Sequence, residues 1–243
     1  MSHVREAVDV ARETPARAAV RGVTGMERAA REAGAETVYF DEVEQVEVEI
    51  PQGRLIKTIP VPRPLLEADV VIACPKLKTH FLDPISGAIK LWVGATRQDT
   101  MHRLHRDRVD ETVGDLLTVT RPDLVVMDAI IAGEANGPIA TRGRFVGCVL
   151  ASDDPAALDV IAADLAGFGD SPLRFARAAA ERGVGIAERD RIDVRGVSLD
   201  EARVRLAPQK LAGWTESYPV RIIAGEGVTL QGTLGHFKGF ADL

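Results

Sequence analysis

The chain has 243 residues, of which 46% are hydrophobic and 27% charged, and its formal net charge is −6 at pH 7. This length and composition are typical of a globular protein with a sizeable core and exclude a disordered or fibrous chain. The acidic balance excludes a general nucleic-acid binder, because such proteins present a basic domain to the phosphate backbone.

The lack of a membrane-spanning or signal-like run in this sequence and the pattern of its cysteines both favour a cytoplasmic protein. No apolar run approaches the roughly 18–20 residues of a membrane span, and the first residues are too polar for a secretory signal. Cys74 and Cys148 lie in the apolar runs VVIACP and FVGCVLA, without a CxxC or Cys/His pattern. We therefore expect buried free thiols in a reducing compartment.

The first part of the chain predicts a helical region followed by extended segments. Residues 1–34 are rich in Ala, Arg and Glu and favour helix, interrupted near Thr14-Pro15 and ended by Gly34. The strands predicted after it are 37–40, 46–50, 55–61 and the buried 69–74. The two segments on either side of Gln52-Gly53 predict a β-hairpin with one solvent-exposed face, at the edge of a sheet.

The rest of the chain alternates helices with buried strands, which is typical of an α/β fold. The predicted order is helix 109–117, strand 124–127, loop 128–143, strand 145–151, helix 155–166, helix 171–182 and strand 193–197. We predict one α/β domain over 1–190 with a mostly parallel, helix-flanked open sheet. A C-terminal extension over 191–243 is expected to pack on the same domain.

The basic stretch that begins at Lys76 is the strongest functional signal. It follows strand 69–74 directly, and functional loops of open α/β sheets lie at the carboxyl ends of strands. Its basic residues are Lys76, Lys78, Lys90, Arg97, Arg103, Arg106 and Arg108, with three of the chain's five histidines. Lys76, Lys78 and His80 alternate, so an extended chain would place them on one side. A small anionic ligand and a merely solvated loop are the two interpretations.

Ser86, Gly87 and Lys90 extend this signal. Small residues allow backbone amides to approach a ligand closely, and a helix that begins near Gly87 would favour a phosphate or carboxylate. The glycine spacing of a Walker loop or a dinucleotide fingerprint is missing, so neither ATP nor NAD is assigned. We predict that Ser86 and Gly87 bind the ligand and that Lys90 takes part in the chemistry.

Three histidines are candidate metal ligands or acid/base groups. His102 and His105 share one face of a predicted helix, and with His80 they could make a site for a divalent metal. No HExxH motif accompanies them. One buried and one surface histidine beside arginines is the alternative interpretation.

Acidic and amide side chains follow the strand at 124–127. Asp128 could orient a cation or act as a base, Glu134 could carry a proton, and Asn136 could donate an amide hydrogen bond, although Asn-Gly-Pro alone is ordinary turn chemistry. Asp153 and Asp154 are typical helix caps. Asp159 lies inside an apolar helix, where an unpaired carboxylate is costly, so it should meet a cation or a backbone amide.

At these residues the chain resembles the bacterial and archaeal family catalogued as domain of unknown function 362. The similar blocks are DVVIACPKLKTH, SGAIKLWVG, MHRLH, DAIIAGEANGP and ASDDPAALDVIAADLAGF, spread over residues 20–185. The resemblance implies a site group of Lys76, Lys78, His80, Lys90, Glu134, Asn136 and Asp159. Family members commonly carry a further N-terminal αβ segment before the part that matches residues 14–40. If that segment contributes a strand or a ligand, we expect either that a partner chain supplies it or that this sequence begins late. A homo-oligomer is the alternative expectation about partners. Many also carry ferredoxin cysteines, which this sequence lacks, so we expect no iron–sulfur cluster within it.

A shorter block is similar to the N-terminal domain of the lactate racemase family. His80, Ser86, Gly87, Lys90 and His105 fall into its pattern, with alanine at position 88 in place of a second glycine. In those racemases the lysine carries a nickel-pincer nucleotide and histidines act as acid and base. The resemblance implies a type of acid/base mechanism rather than that cofactor.

The sequence therefore leads to two hypotheses about function. The first is an isomerase-like or oxidoreductase-like enzyme that acts on a carboxylate, phosphorylated or quinone-like anion. Lys76, Lys78 and Lys90 would hold the anion while His80 and Glu134 move protons. The second is a non-catalytic cofactor-holding or accessory partner of an electron-transfer protein or metalloenzyme. The identity of any cofactor stays open.

Overall fold

The computed structural model describes residues 5–7, 25–97, 100, 104, 108–138, 140–209, 219–224 and 228–233. Its contacts divide the chain into two compact units, of which the larger contains residues 38–209. The other unit includes a short helix at 26–32 and a C-terminal hairpin at 219–233. The division of the chain at residue 190 stays a prediction.

The strands are β1 (Arg5–Ala7), β2 (Glu36–Val38), β3 (Gln45–Glu49), β4 (Thr58–Pro62), β5 (Ile72–Ala73), β6 (Lys76–Thr79), β7 (Ile85–Ser86), β8 (Leu124–Asn136), β9 (Ala140–Ser152), β10 (Pro219–Ala224) and β11 (Val228–Thr233). The helices are α1 (Met26–Glu32), α2 (Arg63–Glu67), α3 (Ala88–Leu91), α4 (Val109–Leu117), α5 (Pro155–Leu165), α6 (Arg174–Ala180) and α7 (Leu199–Ala202). Two 3-10 turns lie at Trp92–Gly94 and Arg189–Arg191. Among these helices none is long and apolar enough to cross a membrane.

A five-stranded open sheet forms the centre of the larger unit. β8 is its middle strand, with β5 and β6 parallel to it on one side and β9 antiparallel on the other. β7 pairs antiparallel with β6 at the far edge. The predicted α/β class, with a helix-flanked open sheet and an antiparallel hairpin, is confirmed; the hairpin β3–β4 forms a two-stranded sheet.

The core lies between β8 and the helices α3 to α6. Val125, Met127 and Ala129 of β8 are fully buried, whereas Asp128 between them is exposed, as expected when one face of a strand is covered. Helix α5 contributes the largest share of small apolar residues to this core. Strand β8 and helix α3, which carry residues of the site described below, are thus both packed against this core.

Helix α5 begins and ends where the sequence predicts. The side chain of Asp154 accepts hydrogen bonds from the amides of Ala156 and Ala157, both at 2.9 Å, and Pro155 occupies the first helical position. Gly167 follows the helix with a φ of 85°, a conformation that favours glycine.

A buried carboxylate joins the hairpin loop to the helices. Asp115 of α4 is 0% exposed and accepts hydrogen bonds from three consecutive amides at positions 54–56. It also pairs with Arg182 at 2.6 Å, and Arg182 pairs with Glu111 at 2.7 Å. Burial opposes the charge on Asp115, but the hydrogen bonds lower its pKa overall. The network fixes the loop of the hairpin against α4.

Two expectations about secondary structure were wrong. Residues 128–143 were predicted as a loop, but β8 continues to Asn136 and β9 begins at Ala140, with Gly133 opposite Gly143. Gly133, Gly143 and the bulge between Ala129 and Ile131 interrupt the alternation of apolar and polar residues by which a strand is recognised in a sequence. The predicted strand at 193–197 is irregular chain in the structure.

The N-terminus and the cysteines bring two further corrections. Arg5–Ala7 is a strand rather than part of a helix, and the rest of the predicted helical region before Gly25 lies outside the described residues. Neither cysteine forms a disulfide within the described residues, and the predicted burial is wrong, because Cys74 is exposed and Cys148 only partly buried. The edge position of β5 explains the exposure of Cys74, which directly follows this strand.

Candidate functional site

Strand β6 places two lysines on one face of the sheet. Lys76 and Lys78 alternate with Leu77 and Thr79, which are both 0% exposed. The ammonium of Lys76 donates to Asp128 Oδ2 at 2.7 Å across the parallel pair β6–β8. This hydrogen bond lowers the pKa of Asp128. Lys76 was predicted to bind a ligand and Asp128 to act in catalysis. In the structure their charges neutralise each other near the surface.

Lys78 and Lys90 form a second, more buried group of cations, which we call the lysine pair. Lys78 lies opposite Ser86 on β7 and Gly133 on β8. Its ammonium has no hydrogen bond or ion pair with any residue in the described part of the chain. Burial lowers the pKa of Lys78. Burial and then the charge of Lys78 lower the pKa of Lys90 to about 8, from an ordinary value of 10.5.

The sequence predicts that Asp159 meets a cation or a backbone amide, and the structure confirms the amide. Its carboxylate accepts hydrogen bonds from the amides of Ala88 at 2.7 Å and Ile89 at 3.1 Å, at the start of α3. Burial raises the pKa of Asp159 to about 7, against these hydrogen bonds. A Cβ on Gly87 would lie 2.0 Å from Asp159 Oδ1. The lack of a side chain at Gly87 therefore lets the carboxylate of Asp159 approach this closely. The amides of Ala88 and Ile89 both donate to that carboxylate.

This arrangement determines what α3 contributes to the site. The amides that could have held an external phosphate or carboxylate donate to Asp159 instead. Lys90 is the basic residue of α3, and the contact between α3 and Asp159 holds the backbone that carries it. The ligand-binding roles predicted for Ser86, Gly87 and Asp159 stay predictions. In the structure Asp159 holds the start of α3 and so positions Lys90.

His80 is buried directly after β6. Its Nδ1 accepts a hydrogen bond from the amide of Leu82 at 3.0 Å, and its ring stacks on Phe81 with centroids 4.6 Å apart. Because Nδ1 is the acceptor, the neutral imidazole carries its proton on Nε2. A histidine held in one tautomer can donate a hydrogen bond or a proton in a fixed direction.

Glu134 is tied to neighbouring backbone and to an arginine. Its Oε1 accepts from Arg142 Nε at 2.8 Å, and its Oε2 accepts from the amide of Ala207 at 2.9 Å. The hydrogen bond from Ala207 and then the arginine lower its pKa, although burial opposes this. Gly133, the neighbour of Glu134, pairs with Lys78, and successive residues of a strand point to opposite faces. Glu134 therefore lies on the opposite face of the sheet from Lys78.

The remaining predicted residues are not part of the lysine pair. Asn136 is exposed at the end of β8. His102 and His105 lie outside the described residues. Within the ranges that the structure describes, no group of three His, Cys, Asp or Glu side chains could hold a metal ion. The predicted divalent-metal site with His80 therefore stays a prediction.

The sequence interpretation missed a group of arginines around Glu134. Arg142 and Arg144 alternate on β9, and Arg205 lies in the segment that also contains Ala207. The pattern Thr-Arg-Gly-Arg-Phe, once recognised as a strand, places both β9 arginines on one face. No sequence pattern links them to Arg205, because its approach depends on the path of the chain after α7.

The chain is similar to a protein of cyanobacteria. It is 33% identical over 106 residues to the thylakoid-associated protein sll1697 of Synechocystis, an alignment that covers 41% of this chain and 33% of the relative. The chain thus spans about a third of that relative's length. No solved structure matches the chain. The family described as a domain of unknown function, DUF362, matches residues 8–164, and the chain belongs to this family.

Proposed function

We propose that the chain is an enzyme that acts on a small anionic metabolite, and that the lysine pair is its reaction centre. The observation that carries the proposal is that Lys78, which pairs with Ser86 just before α3, lies close enough to Lys90 of α3 for its charge to lower the pKa of Lys90. Two cations that share a partly buried site repel each other. Both influences on the pKa of Lys90, burial and the charge of Lys78, disfavour its charged form. A bound carboxylate or phosphate would relieve that repulsion.

Acid/base isomerisation is the reaction that these two lysines support best. A lysine with a pKa of about 8 is present in both protonation states near neutral pH, as a general acid or base requires. The neutral amine of Lys90 removes a proton from the carbon next to a carbonyl or carboxylate group and becomes an ammonium. The ammonium of Lys90 then returns a proton to a neighbouring carbon from the same side of the enolate. The charge of Lys78 stabilises the enolate that forms between the two transfers.

Solvent exchange tests this reaction before the product is known. The full chain is incubated in D2O with a panel of hydroxy acids, keto acids and sugar phosphates, and proton NMR follows loss of the carbon-bound hydrogen. We expect exchange with at least one compound, and a loss of about 100-fold or more in Lys90→Met. Lys57→Met is the matched control, because Lys57 donates to the carbonyl of Gly53 in the hairpin loop.

Two outcomes would contradict the proposal. One is exchange that proceeds equally well in Lys90→Met, and the other is no exchange with any anion by a folded chain. A redox step and the accessory role stay predictions. They are tested by native mass spectrometry of protein purified without an affinity tag, which detects a co-purified cofactor or partner.

A further inference from the structure

A cleft on the opposite face of the sheet from Lys78 is lined by three arginines, and we call it the arginine cleft. Its volume is about 530 Å³, within the usual range of small-molecule sites of roughly 300–1,000 Å³. The lining residues are Glu134, Arg142, Arg144, Gly167, Phe168, Arg205, Leu206, Ala207 and Pro208. All of them belong to the larger unit of the chain.

The charges of this cleft do not balance. Glu134 is the carboxylate among its lining residues, and one of its oxygens is bound to Arg142 and the other to the amide of Ala207. The guanidinium groups of Arg144 and Arg205 have no hydrogen bond or ion pair within the described ranges. Two positive charges are thus left over, and both are carried by side chains with several N–H donors in a planar fork.

The backbone that carries these arginines is fixed. Arg142 and Arg144 lie on β9, whose pairing with β8 places them opposite Glu134 and Ala132. Arg205 lies between two anchored residues: the amide of Val204 donates to the carbonyl of Leu165, the last residue of α5, at 2.8 Å, and the amide of Leu206 donates to the carbonyl of Ala166 at 3.0 Å. The cleft is therefore largely formed before a ligand binds, which lowers the cost of binding.

The approach of Arg205 depends on a glycine. A Cβ on Gly167, whose φ is 85°, would lie 3.2 Å from Arg205 Cα. Phe168, which is partly buried, adds apolar surface beside the charged groups. A cleft with two surplus guanidinium groups and an apolar wall fits a dianion attached to a small organic body.

We propose that the arginine cleft binds the dianionic phosphate group of a phosphorylated small molecule. Arg144 and Arg205 donate to the phosphate oxygens, and Arg142, already oriented by Glu134, offers its terminal N–H groups. Guanidinium groups bind phosphate through paired hydrogen bonds, which a lysine cannot reproduce. This site is distinct from the lysine pair, so it does not depend on the reaction proposed there.

Isothermal titration calorimetry with inorganic phosphate tests the proposal, at about pH 8 and at an ionic strength matched with potassium chloride. The full chain carries Lys78→Met and Lys90→Met, so that phosphate bound at the lysine pair does not contribute. We expect one saturable site in this background. Arg144→Gln and Arg205→Gln should each weaken binding about tenfold or more, because hydrogen bonds to charged groups are lost.

Arg195→Gln is the matched control, since Arg195 is 89% exposed and pairs with Asp193 away from the cleft lining. It should change the affinity less than about twofold. Arg144→Lys keeps the charge but not the fork and should give an intermediate affinity; circular dichroism checks that every variant is folded. The proposal is overturned if the folded background chain shows no saturable phosphate binding. It is also overturned if the glutamine variants at 144 and 205 bind as the background does.

Discussion

Gly87→Ala tests the contact that holds helix α3 and its Lys90 in place. The new Cβ would lie 2.0, 2.5 and 2.8 Å from Oδ1, Cγ and Oδ2 of Asp159, all closer than real Cβ contacts allow. The φ of Gly87 is −123°, which alanine adopts readily, so backbone strain does not contribute. Asp159 must move and lose both of its amide hydrogen bonds.

The expected loss can be worked out from this geometry. Overpacking of a core costs about 1–3 kcal/mol, and each buried amide left without its acceptor costs about 1–3 kcal/mol. We expect Gly87→Ala to lower the free energy of unfolding by about 3–9 kcal/mol. This is a large part of the roughly 5–15 kcal/mol that stabilises a typical domain. Urea denaturation at pH 7, followed by circular dichroism, measures the change.

A double-mutant cycle separates the clash from other effects of the alanine. Asp159→Ala should itself be destabilising, because it leaves the amides of Ala88 and Ile89 without acceptors. In that background Gly87→Ala should cost less than about 1 kcal/mol, because the carboxylate it meets is gone. A cost that is the same in both backgrounds, or a cost below about 1 kcal/mol in the natural sequence, would refute the explanation.

The remaining predictions concern two buried carboxylates, Asp115 and Asp83, and an exposed one, Asp193, as a comparison. Asp115→Asn should lower the free energy of unfolding by about 3–5 kcal/mol in urea, because it leaves the Arg182 guanidinium buried without its closest carboxylate. Asp193→Asn, at an exposed ion pair, should cost less than about 0.5 kcal/mol, and equal losses in the two variants would contradict the role of burial. Burial raises the pKa of Asp83 to about 6 from 3.8, so its contribution to stability is complete below about pH 4 and is lost as the pH rises through 6. The free energy of unfolding measured relative to Asp83→Asn should therefore fall between about pH 4 and pH 7, and a rise over this interval would contradict the assignment.

Local signals predicted the parts of the fold whose causes are local. The cap at Asp154-Pro155 and the stop at Gly167 act within one turn of the chain, so the sequence alone locates helix α5. The burial cost of a carboxylate likewise predicted that Asp159 needs an amide or a cation. Which amides it meets could not be predicted, because Ala88 and Asp159 are 71 positions apart.

The contacts that the sequence did not predict depend on strand pairing or on partners that are distant in sequence. Glu134, predicted to carry a proton, is held by Arg142 across the β8–β9 ladder and by Ala207 from the segment after α7. Its strand had been interpreted as a loop, so the face to which it points could not be assigned. The same error concealed the arginine cleft, since an Arg-Gly-Arg pattern predicts two adjacent guanidinium groups only when it is extended.

The pKa of Lys90, measured by NMR from the ε-methylene signals of the full chain, tests the lysine pair most directly. The Lys90 signal is identified by its loss in Lys90→Met. We predict a midpoint near 8, and a higher midpoint in Lys78→Met, because removing the neighbouring charge favours the ammonium form. A midpoint near the ordinary value of 10.5, unchanged in Lys78→Met, would contradict the pairing on which the proposed reaction centre depends.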